Sequence, residues 1–100
     1  MVSNINNLVT IEVIEKYLLL TEQARKKATP MYSKEEPEYQ QIISLFQMAD
    51  DYYNDAKHFR DIGDYVRAFG AINYAHAWID AGVKLRLLDG HDDDHLFTLP

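Results

Sequence analysis

The spacing of apolar residues along the chain predicts three long helices, over residues 11–28, 37–62 and 65–88. The first two are amphipathic, because each carries one apolar stripe with polar residues on the opposite side. The stripe of the first helix comprises Ile14, Tyr17, Leu18, Ala24 and Ala28, and that of the second comprises Ile42, Leu45, Phe46, Ala49, Tyr52, Tyr53, Ala56 and Phe59.

Local signals at the predicted boundaries support these three helices. Thr10 is a suitable N-cap for the first helix, and Pro30 ends it, because proline disfavours a helical conformation in the residue before it. Pro37 suits the first turn of the second helix, although Ser33 and Glu36 also fit a capping box a few residues earlier.

A very short turn joins the second predicted helix to the third. Gly63 supplies the left-handed residue that stops one helix, and Asp64 can cap the start of the next. So short a connection makes the two helices antiparallel neighbours. Gly90 is expected to end the third helix.

The third helix has an apolar arc that covers more than half of its circumference. One large apolar side comprises Tyr65, Phe69, Ile72, Ile79, Val83 and Leu87. A second side comprises Tyr74, Trp78 and Leu85. The small residues Ala68, Ala71, Ala75 and Gly82 lie between the two sides. A surface helix of a three-helix bundle needs a narrower stripe. Either this helix is wedged between both partners, or its side with Tyr74, Trp78 and Leu85 is an interface with another subunit.

These elements predict an all-α fold, a three-helix antiparallel up-and-down bundle in a single domain of residues 1–100. Residues 1–7 are polar and are expected to be frayed. Residues 89–100 form an acidic C-terminal tail, in which Leu96 and Phe97 are able to dock back on the bundle. The third helix should be the most buried element.

The net charge of −6 is concentrated in the tail. Four of the sixteen acidic residues lie in the last twelve positions, which carry no Lys or Arg, and the remainder of the chain has twelve acids against ten bases. A duplex-binding protein needs a basic face to replace the counterions of the phosphates. The cluster of Arg25, Lys26 and Lys27 is better explained as a helix C-terminus that complements the helix dipole. Nucleic acid is therefore not the expected partner.

Other compositional features exclude whole classes of protein. The chain has no cysteine, which excludes disulfides, zinc fingers and thiol nucleophiles. No apolar run reaches the length of about 20 residues that spans a bilayer, and the N-terminus does not have the pattern of a secretory signal. We expect a cytoplasmic protein without a cofactor and without a membrane partner.

Two groups of polar residues are candidates for chemistry. In the second helix, Asp51, Asp55 and His58 share one face and are suitable ligands for a divalent metal, but this face lies opposite the apolar stripe, so a solvated surface is the favoured interpretation.

In the third helix, His76 lies on the main apolar side, and Asn73 and Asp80 flank it. A carboxylate one turn from a half-buried imidazole could orient it as a proton-transfer base. The alternative is a core histidine whose ring is satisfied by Asp80 or by a tyrosine hydroxyl from another helix. The sequence His91-Asp92-Asp93-Asp94-His95 also has metal-binding residue types, but a mobile acidic tail is the expected state.

Three segments of the chain resemble a known family. They are MADDYYNDAK at residues 48–57, GDYVRAF at 63–69 and YAHAWIDAGV at 74–83. They resemble the small archaeal proteins grouped as domain of unknown function 357 (DUF357), over about residues 10–88. The family pattern has Gly before the tryptophan and Leu after it, where this chain has Ala77 and Ile79. The resemblance implies a three-helix bundle and an archaeal source. It implies no activity, so no catalytic residue follows from it.

Two functions remain open after these observations. The first is a non-enzymatic module that self-associates or binds a protein partner, with Tyr74, Trp78 and Leu85 as the candidate interface. The second is a small hydrolase or metal-binding protein that uses His76 and Asp80, with Asp55 or His58 from the neighbouring helix. The second requires His76 and Asp80 to open into a pocket that solvent can reach.

Overall fold

The computed structural model describes residues 4–100 and confirms the predicted all-α fold. The helices are α1 (Ile11–Lys27), α2 (Tyr39–Asp61) and α3 (Tyr65–Lys84). Two short strands, β1 (Thr29–Pro30) and β2 (Leu88–Asp89), pair antiparallel. Residues 1–3 of the segment expected to be frayed lie outside the described residues, and residues 4–10 form no helix or strand.

The predicted side-chain caps are present at the starts of α1 and α3, whereas α2 begins without a side-chain cap. The Thr10 hydroxyl accepts a hydrogen bond from the Val13 backbone N–H at 3.3 Å, and an Asp64 carboxylate oxygen accepts one from the Arg67 N–H at 3.1 Å. Gly63 has a φ of 80°, the left-handed conformation expected of it. The turn between α2 and α3 is therefore as short as predicted, and the two helices are antiparallel.

The end of α3 differs from the prediction, because the helix stops at Lys84 and not at residue 88. Arg86 takes a left-handed φ of 62°, and the Leu87 N–H donates to the Gly82 carbonyl at 2.9 Å. This is the hydrogen-bond pattern of a Schellman motif, with arginine in place of the usual glycine. Leu88 and Asp89 then leave the helix axis and pair with β1.

Two glycines accommodate this change of direction. A Cβ atom on Gly82 would lie 2.6 Å from Leu88 Cδ1, and one on Gly90 would lie 2.9 Å from Phe97 Cδ2. Both residues are therefore required as close-packing sites beneath larger side chains. Gly90, which was expected to end α3, lies beyond the helix and allows the last residues to return to the bundle.

The core has two parts, and α3 contributes to both. The part near the turn between α2 and α3 comprises Ile14, Leu18, Ala56, Ala68, Ala71 and Ile72. The other comprises Ala24, Ala28, Ile42, Ala49, Ile79, Val83, Leu88, Leu96 and Phe97. Seven residues of α3 are buried, against four in each of the other helices, which confirms that α3 is the most buried element.

The tail docks back on the bundle, as the sequence allowed for Leu96 and Phe97, and the expectation of a mobile acidic segment is wrong. Leu96 and Phe97 are buried, with 8% and 4% of their surface exposed, and they belong to the second part of the core. Burial of two large apolar side chains outweighs the acidic character of the residues between Gly90 and Leu96. The tail is thus a packed part of the fold at one end of the three-helix bundle.

Replacement of Ile72 by Ala should lower the free energy of unfolding by about 2–5 kcal/mol, because Ile72 is fully buried and its removal leaves a cavity. Urea unfolding followed by circular dichroism measures this difference. The control is Val66→Ala, at a position that is 77% exposed, where the change should stay within about 0.5 kcal/mol. Equal effects of the two substitutions would contradict the packing of α3 described above.

Gly70 and Gly82 offer a matched pair of substitutions within α3. A Cβ on Gly70 meets no atom within 4 Å, apart from the helix's own backbone, in the described chain, so Gly70→Ala should stabilise the protein by up to about 1 kcal/mol through helix propensity. Gly82→Ala gains the same propensity but must displace the buried Leu88, at a cost of about 1–3 kcal/mol. Thermal unfolding should therefore rank Gly70→Ala above the native chain and above Gly82→Ala.

Candidate functional site

The candidate residues Asn73, His76 and Asp80 lie together on α3, beside α1 and the tail. They line an open depression of about 320 Å³. Its other lining residues are Tyr17, Leu20, Thr21, Ile72, Ala77 and His95. The condition set by the sequence analysis is met, since His76 and Asp80 border a space that solvent reaches.

The ring of His76 is held at both nitrogen atoms. Nε2 lies 2.7 Å from the carbonyl oxygen of Leu96, and Nδ1 lies 3.0 Å from the hydroxyl of Thr21. Because a carbonyl oxygen only accepts, Nε2 carries a proton and donates it. In the neutral ring Nδ1 then accepts from the Thr21 hydroxyl, which is buried with 2% of the residue exposed. His76 thus connects α1, α3 and the tail.

Asp80 does not orient His76, although it lies one helical turn away. One of its carboxylate oxygens accepts a hydrogen bond from the backbone N–H of Thr98. The side-chain amide of Asn73 donates to the carbonyl of Phe69 at 2.9 Å, within the same helix. These contacts agree with a structural role for the group, the alternative in which a core histidine is simply satisfied, although its partners come from α1 and the tail.

The candidates on α2 lie elsewhere. Asp55 is exposed and borders a different depression, together with Arg67 and Tyr74, and the exposed ring of His58 lies 5.6 Å from that of Phe59. The structure does not bring either residue to His76. Within residues 4–100, no three His, Asp or Glu side chains are grouped closely enough to hold a metal ion.

Asp93 anchors the tail to the bundle, a role that its sequence context did not single out. One of its oxygens accepts from the backbone N–H groups of His95 and Leu96, both at 3.0 Å, and the other lies 2.9 Å from Lys27 Nζ. The Lys27 ammonium and these two N–H groups lower the pKa of the Asp93 carboxyl. The available signal was the pair Leu96-Phe97 three residues after an Asp, which is a capped turn that leads into a buried segment.

The basic cluster at the end of α1 is surrounded by carboxylates. Arg25 makes a bidentate pair with Asp50 at 2.8 and 3.1 Å, and its guanidinium lies 3.7 Å from the ring centre of Phe46. Lys26 lies 2.9 Å from Glu22, and Lys27 pairs with the tail as described. Arg25 and Lys27 therefore join α1 to α2 and to the tail, whereas Lys26 pairs within α1, and all three complement the dipole of α1.

The three candidate interface residues lie along the outer groove between α2 and α3. Tyr74 packs edge-on against Tyr52 of α2 at 4.5 Å and against Trp78 at 6.0 Å between ring centres. Tyr74 and Leu85 are 47% and 68% exposed, and Trp78 is half-buried. We call the surface formed by Tyr52, Tyr74, Trp78 and Leu85 the α2–α3 face. α3 is thus wedged between both partner helices and still leaves this face uncovered by the rest of residues 4–100.

Trp78 carries one unusual feature. Its indole Nε1 is buried and has no hydrogen-bond partner within residues 4–100. An unsatisfied buried donor costs about 1–3 kcal/mol. The edge-on contact of the Trp78 ring with Tyr74 contributes about 0.5–1.5 kcal/mol in the opposite direction.

None of the helices in the described part of the chain is both long and apolar enough to cross a bilayer. Searches of curated proteins and of solved structures find no significant match to the chain. A family model described as "Protein of unknown function (DUF357)" matches residues 16–88, which include all of α2 and α3 and most of α1. This match covers more than half of the chain and agrees with the resemblance in residues 48–83. The chain belongs to the DUF357 family of proteins of unknown function.

Proposed function

We propose that this protein is a non-enzymatic interaction module that self-associates through the α2–α3 face. The observation that supports this function is the exposure of large apolar side chains along one groove, where Tyr74 and Leu85 flank Trp78. Aromatic side chains supply much of the binding energy in protein interfaces, because they bury a large area with few rotatable bonds. A contiguous apolar surface of this kind is typical of a binding site.

The shape of the face favours a second copy of the chain as its partner. Two shallow depressions of about 500 and 490 Å³ lie along this face. The Tyr52–Tyr74 pair lines the first, beside Phe59 and Gly70, and Trp78 and Leu85 line the second. Exposed apolar side chains and hollows on the same face are compatible with a two-fold axis, since side chains of each copy can enter a hollow of the other.

The charge of the face is also compatible with self-association. The whole chain carries −6, but the charged residues that line the two depressions are one acid, Asp55, and one base, Arg67. Two copies that meet at this face therefore bring no excess of like charge together. Their remaining acidic residues lie farther away, where salt screens the repulsion.

The alternative of a hydrolase or metal-binding protein receives less support from the geometry. Both ring nitrogens of His76 and one oxygen of Asp80 already bind Thr21 and the tail. A proton-transfer base needs a nitrogen within reach of a substrate. The depression beside these residues exists because they lie next to the tail.

Replacement of Leu85 by Lys tests the proposed dimer. Leu85 is 68% exposed and follows the last residue of α3, so the substitution should leave the fold intact and place a charged ammonium group in the apolar face of each copy. Sedimentation equilibrium at tens of micromolar should give a dimer for the native chain. The dissociation constant of Leu85→Lys should be at least about tenfold higher.

The matched control is Leu19→Lys, which changes a 55% exposed leucine on α1 in the same way. This variant should dimerise like the native chain. A native chain that stays monomeric over the whole concentration range would exclude the homodimer. Equal weakening by both substitutions would show that the dimer uses a different surface.

A further inference from the structure

Residues 93–99, which we call the C-terminal strap, lie over a groove between α1 and α3. Leu96 and Phe97 are buried in the core at this end of the bundle, whereas His95 and Thr98 are exposed. The strap therefore contacts the groove mainly through two adjacent apolar side chains, and Asp93 and Leu99 are partly buried beside them. This is the arrangement of a short peptide bound to a groove.

The groove holds the strap mainly by its backbone. His76 donates to the carbonyl of Leu96 at 2.7 Å, and Asp80 accepts from the N–H of Thr98. Lys84 Nζ donates to the carbonyl of Leu99 at 3.1 Å. Contacts with main-chain atoms provide affinity without selecting side chains, so these three residues could hold any segment of the same conformation.

Side-chain selectivity comes from three positions of the strap. Lys27 pairs with Asp93, and the core receives Leu96 and Phe97. The groove thus fits an acidic residue followed at the third and fourth positions by large apolar residues. Beside His76 and Asp80, the open depression that Asn73 and His95 also line leaves room next to the strap.

The connection between the strap and β2 is conformationally strained. His91 and Asp92 both have left-handed φ angles, of 55° and 58°. Residues with a Cβ atom rarely adopt this region, because the side chain approaches the backbone too closely there. Detachment of the strap would leave the β1–β2 pairing upstream of His91 in place. Short segments outside the helices open locally more readily than the helical core.

We propose that the groove between α1 and α3 is a peptide-binding site that the strap occupies in cis, and that a partner protein binds there by replacing it. The partner contributes an extended segment with an acid and, three and four residues later, two large apolar side chains. This site is separate from the α2–α3 face and does not depend on the proposed dimer.

Competition with the strap determines the affinity for such a segment. A tethered strap acts at an effective concentration in the millimolar range, so the native chain binds a free peptide weakly. A substitution that weakens only the strap should raise the apparent affinity for the peptide. The groove itself must stay unchanged in such a variant.

Asp93→Ala in the full-length chain meets this requirement. It removes the contacts of Asp93 with Lys27, His95 and Leu96 and leaves every groove residue in place. Asp94→Ala is the matched control, because it makes the same change of charge at an exposed side chain that has no hydrogen bond or ion pair in the described chain. The probe is a fluorescent synthetic peptide with the sequence of residues 91–100.

Fluorescence anisotropy should show that Asp93→Ala binds this peptide at least about tenfold more tightly than Asp94→Ala and the native chain. A peptide in which Leu96 and Phe97 are both replaced by Ala should not bind. Thr98→Pro is a second variant with the same expected gain, because proline removes the N–H that Asp80 accepts. Circular dichroism checks that each variant is folded.

Three results would overturn the proposal. The first is equal, weak binding by the folded Asp93→Ala, Thr98→Pro and Asp94→Ala chains. The second is equal binding of the peptide that has lost its two apolar residues. The third is dimerisation of Asp93→Ala in a Leu85→Lys background without peptide binding, which would show that the strap exchanges between two copies and that no separate partner is required.

Discussion

The close approach of α3 to both other helices is the constraint on which the rest of the structure depends. Ala68 and Ala75 of α3 and Ala49 and Ala56 of α2 are essentially inaccessible to solvent. Side chains this small let helix backbones pack closely, and large neighbours such as Ile72 then fill the remaining space. α3 is consequently buried on two sides and exposes a third, so its unusually wide apolar arc serves the core first and a surface second.

Close packing also determines the path of the chain at its C-terminal end. Gly82 and Gly90 have no room for a side chain, because Leu88 and Phe97 occupy the space above them. The chain can therefore fold back across the bundle immediately after α3. Polar residues that were candidates for chemistry hold this returning segment of the chain. His76 joins the strap to the bundle, and neighbouring charged side chains also bind it. The strap is held as a bound peptide would be. The proposed exchange of the strap for a segment of a partner protein depends on this mode of binding.

Much of the helical framework follows from local sequence, and much of the candidate site does not. Thr10, Gly63 and Asp64 signal their roles through side-chain and backbone chemistry that acts within a few residues. The face on which His76 lies also follows from helical periodicity. Its partners do not, because Thr21 and Leu96 are separated from it by 55 and 20 residues. The early end of α3 was also not predicted, because an arginine occupies the left-handed position where glycine is usual.

The sequence by itself determined three helices, their antiparallel order and the family, because helical periodicity, caps and turn residues act over short distances. Only the tertiary structure decided that the acidic tail packs on the bundle and that Asp80 binds Thr98 and not His76. The charge and composition of the tail describe only how soluble it would be as a free segment. Its place in the fold depends on the cavity that Leu96 and Phe97 fill. That cavity exists only after α1 and α3 have come together.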